Sequence, residues 1–357
     1  MAKFIVIFVI LFILSLIFNK NKKAFCILVT IVLASLLSLR NMKIGLNDTA
    51  NIYYPFFLNI NGISFNGIFL DSNLQDVGFF IIMKIIRIIS DNYQICIGVF
   101  ASLYIMLVMF FIYKNSKDAF FSTVIFISLY FLYGTYLMRQ VIAMGILLMA
   151  YKYIVKQDFV KFLLIVILAS LFHRTAFIFI LAYPFCRFNK FNYKNYVYIL
   201  IAFLISKYLF KYVWTILPYI DFTGKVGMAL ANNIYTVGNG NESLGGFYIN
   251  LAILIVCDII IRKKEMKQNY EYNVLMNLST LSCILFCCLN IVIEFYRMSL
   301  YFGIFNIILL ANITSEINNE KYRKTIKYLI IGIFIIYFLF RPLNTMNCNP
   351  YLLFWEG

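Results

Sequence analysis

The chain has 357 residues, of which 63% are hydrophobic and only 13% are charged, and its formal net charge is +16. A soluble domain carries about 25% charged residues, so this composition excludes an ordinary soluble protein. The positive charge does not indicate nucleic-acid binding, because the lysines and arginines cluster beside apolar segments, as they do in cytoplasmic loops of membrane proteins.

Apolar segments recur along the chain at the length of a membrane-spanning helix. They are apolar on all sides, as in Phe4–Phe18 and Ile326–Phe340, which favours helices over the alternating strands of a barrel. The sequence therefore predicts an all-α, polytopic integral membrane protein with one transmembrane domain, residues 1–357. The predicted spans, about twelve at ~20 residues each, lie near 3–18, 24–39, 93–113, 119–137, 138–155, 159–173, 175–187, 195–213, 246–262, 272–293, 298–312 and 325–341.

Basic residues predict the orientation of this bundle, since short cytoplasmic loops are rich in lysine and arginine. Six basic clusters face the cytoplasm together if both termini lie outside. The clusters are Lys20–Lys23, Lys114 with Lys117, Lys152 with Lys156 and Lys161, Arg187 with Lys190 and Lys194, Arg262–Lys267, and Lys321–Lys327. Residues 77–90 then form a short interfacial helix on the outer surface, because another span would invert the first two. Two long outer loops remain, about 40–92 and 214–245.

This topology places several polar side chains near the outer surface, where charges beside hydrocarbon are costly unless they have a function. Arg139 and Gln140 begin the fifth predicted span, and His173 and Arg174 end the sixth. The planar donor fork of arginine suits phosphate or diphosphate, and histidine transfers protons near neutral pH. We expect Arg139 and His173 to act in a site; a snorkelling arginine and a packed histidine are the structural alternatives.

Two further groups of candidates lie on the same predicted face. Asp48 and Tyr53 occur early in the first outer loop, where they can bind sugar hydroxyls and stack on a sugar ring. Asp48 fits equally well as the N-cap of a helix. Arg297 lies between the tenth and eleventh predicted spans, and Glu294, one helical turn earlier, can pair with it.

Several classes of site are disfavoured by missing motifs. No Walker A, G-x-S-x-G or H-E-x-x-H string is present, which disfavours an ATP-driven pump and a classical hydrolase. With 1 histidine and no Cys-x-x-Cys pair among 8 cysteines, we expect no metal site of the usual Cys/His type. No cofactor is expected, and the cysteines are interpreted as small apolar side chains.

Five short segments resemble the EpsG family of Wzy-like polysaccharide polymerases. Arg139-Gln140-Val-Ile-Ala resembles the family's Arg-Gln-x-x-Ala segment, and Phe172-His173-Arg-Thr-Ala resembles its Phe-His-x-(Ser/Thr)-Ala segment. The other three are Gly45-Leu-Asn-Asp48-Thr-Ala-Asn-Ile-Tyr53, Asp76-Val-Gly-Phe79 with Asp in place of the family's Glu, and Tyr296-Arg297-Met-Ser-Leu-Tyr301.

The resemblance implies a GT-C-like membrane glycosyltransferase in the bacterial cytoplasmic membrane, with its active site facing outside. Such an enzyme transfers a growing glycan from undecaprenyl diphosphate to the acceptor hydroxyl of a lipid-linked repeat unit, in capsule, exopolysaccharide or O-antigen synthesis. It implies diphosphate binding by Arg139 and Arg297 without a metal, and His173 or Asp48 as the base. A chain-length regulator protein is a candidate partner. Further substrate contacts are expected from Gln140, Arg174, Glu294, Tyr53 and Tyr296.

Two other functions are compatible with a polytopic chain that carries arginines. A flippase of lipid-linked oligosaccharide is the main alternative; it would place ionisable groups near mid-membrane and show two related halves. Lys207, inside the eighth predicted span, fits that pattern, but no halves are recognisable. A membrane acyltransferase with a catalytic His173 is the third possibility.

Overall fold

A computed structural model of the chain describes residues 1–46, 48–70, 76–209, 244–263, 269–290 and 294–356. Every regular element within these ranges is a helix, so the predicted all-α class is confirmed. The outer loop predicted at 214–245 lies outside the described residues, apart from its last two. The cysteines at described positions are free thiols, mostly buried, as the sequence predicts.

The described residues contain 18 α-helices. They are α1 Ala2–Ile17, α2 Lys22–Ser38, α3 Tyr54–Asn59, α4 Phe65–Leu70, α5 Val77–Ile89, α6 Tyr93–Asn115, α7 Ala119–Leu129, α8 Met138–Leu148, α9 Tyr151–Val155, α10 Phe159–Phe172, α11 Ala182–Phe188, α12 Tyr193–Leu204, α13 Gly245–Lys263, α14 Tyr270–Cys287, α15 Glu294–Gly303, α16 Asn306–Ser315, α17 Glu320–Phe340 and α18 Pro342–Thr345. Short 3₁₀ or π segments are Thr49–Tyr53, Ile60–Gly62, Phe131–Thr135, Arg174–Leu181, Ile205–Leu209 and Cys288–Asn290.

The chain is a multi-pass membrane protein by the length and composition of its helices. Among the described residues, 5 helical segments are long and apolar enough to cross a membrane: Tyr93–Asn115, Met138–Val155, Gly245–Arg262, Glu294–Ser315 and Glu320–Thr345. Helices α1, α7 and α10 are apolar but shorter. The predicted number of about twelve spans is not confirmed, because several predicted spans are interrupted by 3₁₀ or π turns.

The described chain divides into two compact units. The first comprises Met1–Tyr153, Val160–Phe177 and Leu310–Gly357, and the second comprises Ile154–Phe159 and Ile178–Leu309. In the first unit, α2 packs along α6, with Ser38 Oγ donating to the carbonyl of Gly98 at 3.2 Å. In the second unit, α14 packs against α11, α12, α13 and α15.

The first unit has a basic end and an opposite end, separated by the length of α6. At the basic end, Lys22 donates to the carbonyl of Ser116, and Lys327 pairs with Asp118. Helix α6 has 23 residues, which corresponds to about 35 Å. At its start, Phe79 stacks on Phe100 with ring centroids 4.3 Å apart. We call this second end the site end.

Residues near the end of the chain return to the site end of the first unit. Arg40 and Leu353 form an antiparallel bridge, and the N–H of Phe354 donates to the carbonyl of Leu39 at 2.8 Å. The hydroxyl of Tyr351 donates to the carbonyl of Leu36 at 3.1 Å. A segment more than three hundred residues away along the chain therefore closes over the end of α2.

The helix predicted at 77–90 is present as α5, with 13 residues, fewer than the ~20 that a span needs. Of its two basic residues, Lys84 is buried, and its ammonium donates to the carbonyls of Ile60 and Asn61 at 3.2 and 3.3 Å, and to that of Ile63. These three contacts of the ammonium thus fix the preceding turn to α5.

We predict that Lys84→Met destabilises the protein by about 1–3 kcal/mol, because these carbonyls lose their donor inside the protein. Thermal unfolding of the detergent-solubilised chain measures the effect. Lys114→Met, at an exposed position of α6, is the matched control and should unfold at the same temperature as the wild type. Equal unfolding of all three proteins would contradict the assigned role of Lys84.

Candidate functional site: a buried carboxylate between an arginine and a histidine

Asp76 lies at the centre of the candidate site and uses both of its carboxylate oxygens. The guanidinium of Arg139 donates to Oδ2 at 2.7 Å, and Nδ1 of His173 lies 3.1 Å from the same oxygen. The backbone N–H of Arg174 donates to Oδ1 at 3.0 Å. The Asp76 side chain is 3% exposed, whereas those of Arg139 and His173 are 27% and 17% exposed. The carboxylate is therefore internal, while its two side-chain partners reach the surface.

Helix ends bring these groups together. Asp76 directly precedes α5, Arg139 is the second residue of α8, and His173 follows the last residue of α10. Arg174 opens a 3₁₀ segment, whose first N–H groups have no partner within the helix and are free to bind a carboxylate. The start of α5 lies close against the end of α10.

Two glycines allow the close approaches that build the site. A Cβ on Gly78 would lie 3.1 Å from the carbonyl oxygen of Leu171, so a side chain there would push α5 away from α10. A Cβ on Gly134 would lie 2.6 Å from Cδ2 of Leu37, where the 3₁₀ turn before Arg139 rests on α2. The sequence Asp76-Val-Gly-Phe79 thus combines the carboxylate with the small residue that its surroundings require.

Tyr53 forms the aromatic side of the site. Its ring is buried, its hydroxyl hydrogen-bonds with Arg139, and the guanidinium carbon of Arg139 lies 5.5 Å from the ring centroid. The ring of Phe79 lies 5.5 Å away on the site's inner side. Burial raises the pKa of the Tyr53 phenol against the opposing effect of the Arg139 charge, so the hydroxyl stays protonated at neutral pH. Arg139 is consequently fixed by a carboxylate and an aromatic ring.

The electrostatics of Asp76 favour its charged form. Burial alone would raise the pKa of this carboxyl, but the hydrogen bond and charge of His173, the charge of Arg139 and the N–H of Arg174 together hold its pKa below the ordinary value. The Asp76 carboxylate therefore contacts the positively charged Arg139 and the ring of His173. The exposed side chain of Arg174 adds a second positive charge nearby. The site as a whole suits an anion.

Asp48 and Gln140 lie beside this cluster. Asp48 stands at the N-terminal end of the Thr49–Tyr53 turn without a capping hydrogen bond from its side chain, and its charge acts on the Tyr53 phenol. Gln140 is buried in α8, next to Arg139. Contacts of these two residues with a substrate stay predictions.

The remaining candidates lie in the second unit, on α15. Arg297 is exposed, and Glu294 and Tyr296 are half-buried. The Tyr296 ring packs edge-on against Phe286, with centroids 5.4 Å apart. A shared role of these residues with Arg139 and His173 stays a prediction.

Asp76 is the central residue of this cluster, and the sequence predicts no chemical role for it. Its segment only resembles the family's Glu-x-Gly-Phe segment, with Asp in place of Glu. The available signal is an acidic residue that directly precedes an amphipathic helix and lies two positions before a glycine. Among the described residues, no group of three or more His, Cys, Asp or Glu comes together as a metal site.

Comparison with known proteins identifies a family. The model of the EpsG family matches residues 23–353, nearly the whole chain, and this range contains Asp76, Arg139 and His173. No curated protein and no solved structure matches the chain.

We predict that Asp76→Asn lowers the stability of the protein by about 1–3 kcal/mol at pH 7, because a buried, triply bonded carboxylate is lost. Since the pKa of Asp76 lies below that of an unfolded aspartate, about 3.9, its contribution is fully present above about pH 4 and is lost as pH falls through the folded-state pKa. Thermal unfolding between pH 7 and pH 3 should therefore show the two proteins converging at acid pH.

Asp91→Asn is the matched control for this experiment. Asp91 is 88% exposed and forms a surface ion pair with Arg87, so its loss should change stability little at either pH. A wild type whose advantage over Asp76→Asn persists unchanged at pH 3 would contradict the role assigned to the carboxylate.

Proposed function

The chain belongs to the EpsG family, and from that premise we propose that it is a membrane-embedded glycosyltransferase that polymerises lipid-linked sugar repeat units. The donor is a growing glycan on undecaprenyl diphosphate, and the acceptor is a hydroxyl of a lipid-linked repeat unit. A glycosidic bond forms between the donor's anomeric carbon and the acceptor oxygen. The bond from that carbon to the diphosphate breaks, and the acceptor proton passes to a base.

The observation that carries the proposal is the partly exposed Arg139, which a buried Asp76 holds beside His173. A guanidinium fixed in advance stabilises the negative charge that develops on a departing diphosphate without having to reorganise. Its two fixed contacts, Asp76 and the Tyr53 ring, leave it reachable from the surface. In this proposal, Arg139 binds the diphosphate, assisted by Arg297.

His173 is the proposed base for the acceptor hydroxyl. Because Asp76 accepts at Nδ1, the neutral imidazole carries its proton there, and Nε2 keeps a free lone pair for the incoming hydroxyl. The same carboxylate stabilises the imidazolium that forms. Asp48 is the alternative base, and Gln140, Arg174, Tyr53, Glu294 and Tyr296 are the proposed substrate contacts.

The location of the reaction is part of the proposal. Lysines from three of the predicted cytoplasmic clusters, among them Lys22 and Lys327, lie at the end of the first unit opposite Asp76. Under the positive-inside rule, the site end then faces the outside of the bacterial cytoplasmic membrane. Lipid-linked units would be extended there, on a GT-C-like scaffold, for capsule, exopolysaccharide or O-antigen, with a chain-length regulator as a partner.

We predict that the purified chain in liposomes lengthens the glycan of a lipid-diphosphate repeat unit, and that Arg139→Ala and His173→Ala lower the rate by about 100-fold or more. Gel analysis of the lipid-linked products measures the length. Arg323→Ala is the control and should keep wild-type activity, because Arg323 lies beside Asp118 and Lys327 at the basic end of the first unit.

Two outcomes would contradict the proposal. Movement of the lipid across the liposome membrane without lengthening would identify a flippase instead. Long polymer made by a correctly inserted Arg139→Ala protein would remove Arg139 from the reaction.

A further inference from the structure

A cavity lined by both polar and apolar side chains lies at the site end of the first unit, and none of its wall residues belongs to the Asp76 cluster. Its volume is about 760 Å³, within the ~300–1,000 Å³ of small-molecule sites. Its walls come from the end of α2 with the turn after it, the start of α6, Tyr54 and Phe354. We propose that this cavity binds sugar residues of the substrate as an oligosaccharide subsite, an inference that rests on the proposed function.

Side-chain amides in the wall are oriented so that their free groups are available for a ligand. Oδ1 of Asn41 accepts from the N–H of Lys43 at 3.0 Å, and Oδ1 of Asn92 accepts from the N–H of Gln94 at 2.9 Å. The NH₂ groups of both asparagines are thereby left as donors. Gln94 is reversed, since its NH₂ donates to the carbonyls of Ser38 and, at 3.1 Å, Arg40, which leaves its Oε1 as an acceptor. Fixed donors and acceptors together match sugar hydroxyls, which both donate and accept.

Aromatic side chains complete the chemistry of the cavity. Phe354 lines it and is 49% exposed, and the adjacent Trp355 is 58% exposed, with the two rings 4.7 Å apart and nearly perpendicular. The rings of Tyr54 and Tyr93 lie with their centroids 5.1 Å apart, and both residues line the cavity. The electron-rich faces of such rings pack favourably against the C–H faces of sugar rings.

The cavity and the Asp76 cluster adjoin through one turn of chain. Tyr53 hydrogen-bonds with Arg139, whereas the next residue, Tyr54, lines the cavity. The hydroxyl of Tyr93 donates to the carbonyl of Thr49 at 2.9 Å and fixes this turn to α6. A glycan in the cavity therefore lies beside Tyr54, the chain neighbour of the tyrosine whose ring packs against Arg139.

Tryptophan fluorescence tests the inference directly. The sequence has 2 tryptophans, so Trp214→Phe leaves Trp355 as a single reporter beside the cavity. The full chain, in nanodiscs free of glycoside detergent, is titrated with lipid-free oligosaccharides released by partial acid hydrolysis from the surface polysaccharide of the strain that carries the gene. A saturable change in Trp355 emission is expected.

The variant Asn41→Asp/Asn92→Asp sharpens the test. Aspartate keeps the oxygens that accept from the backbone, so the turns remain capped, but it removes both free NH₂ donors. We expect the oligosaccharide to bind about tenfold or more weakly. Asn115→Asp, at the other end of α6, should bind as the parent protein does.

Failure of the inference is distinguishable from failure of the proposed function, because binding is measured without turnover. Arg139→Ala should bind the oligosaccharide and yet not polymerise. Absence of a saturable change, or equal binding by the double variant, overturns the subsite. An emission change produced only by anionic phospholipid in the nanodisc assigns the cavity to a lipid headgroup and overturns it too.

Discussion

The charge on Asp76 is the constraint on which the site depends. A buried carboxylate is costly unless donors surround it, and here the donors come from positions 63, 97 and 98 residues further along the chain. The charge is compensated only when three helix ends come together: the start of α5, the start of α8 and the end of α10. Arg139 and His173 are held in place as a consequence, and neither needs a ligand to be positioned.

The sequence predicted the helical class, the short helix α5 and the candidates Arg139 and His173, which the structure brings onto one carboxylate. These features are local, since they follow from apolar runs and from charges beside them. The role of Asp76 was not predictable in the same way. Nothing within its own segment indicates that an arginine and a histidine from distant helices will share it.

The number of spans was the weaker part of the sequence prediction. Hydropathy measures the length of an apolar run but not whether its helix is continuous, and the run at 119–137 breaks into α7 and a 3₁₀ turn at Phe131–Thr135. Arg40, predicted at the start of an outer loop, is instead fully buried, and it donates to the carbonyls of Leu37 and Thr135 at 2.9 and 3.3 Å. The 3₁₀ turn Phe131–Thr135 packs against α2. This contact positions the start of α8, and with it Arg139.

The return of Tyr351–Phe354 to the end of α2 has a consequence for the order in which the first unit folds. Contacts between segments 315 residues apart carry a large loop-closure entropy, so the pairing of α2 with α6 precedes them. The Tyr351–Phe354 segment, which supplies one wall residue of the cavity, is then the last part of this end to form. When only this segment opens, the ion pair between Arg139 and Asp76 stays formed. The cavity then loses Phe354 from its wall and binds its ligand more weakly.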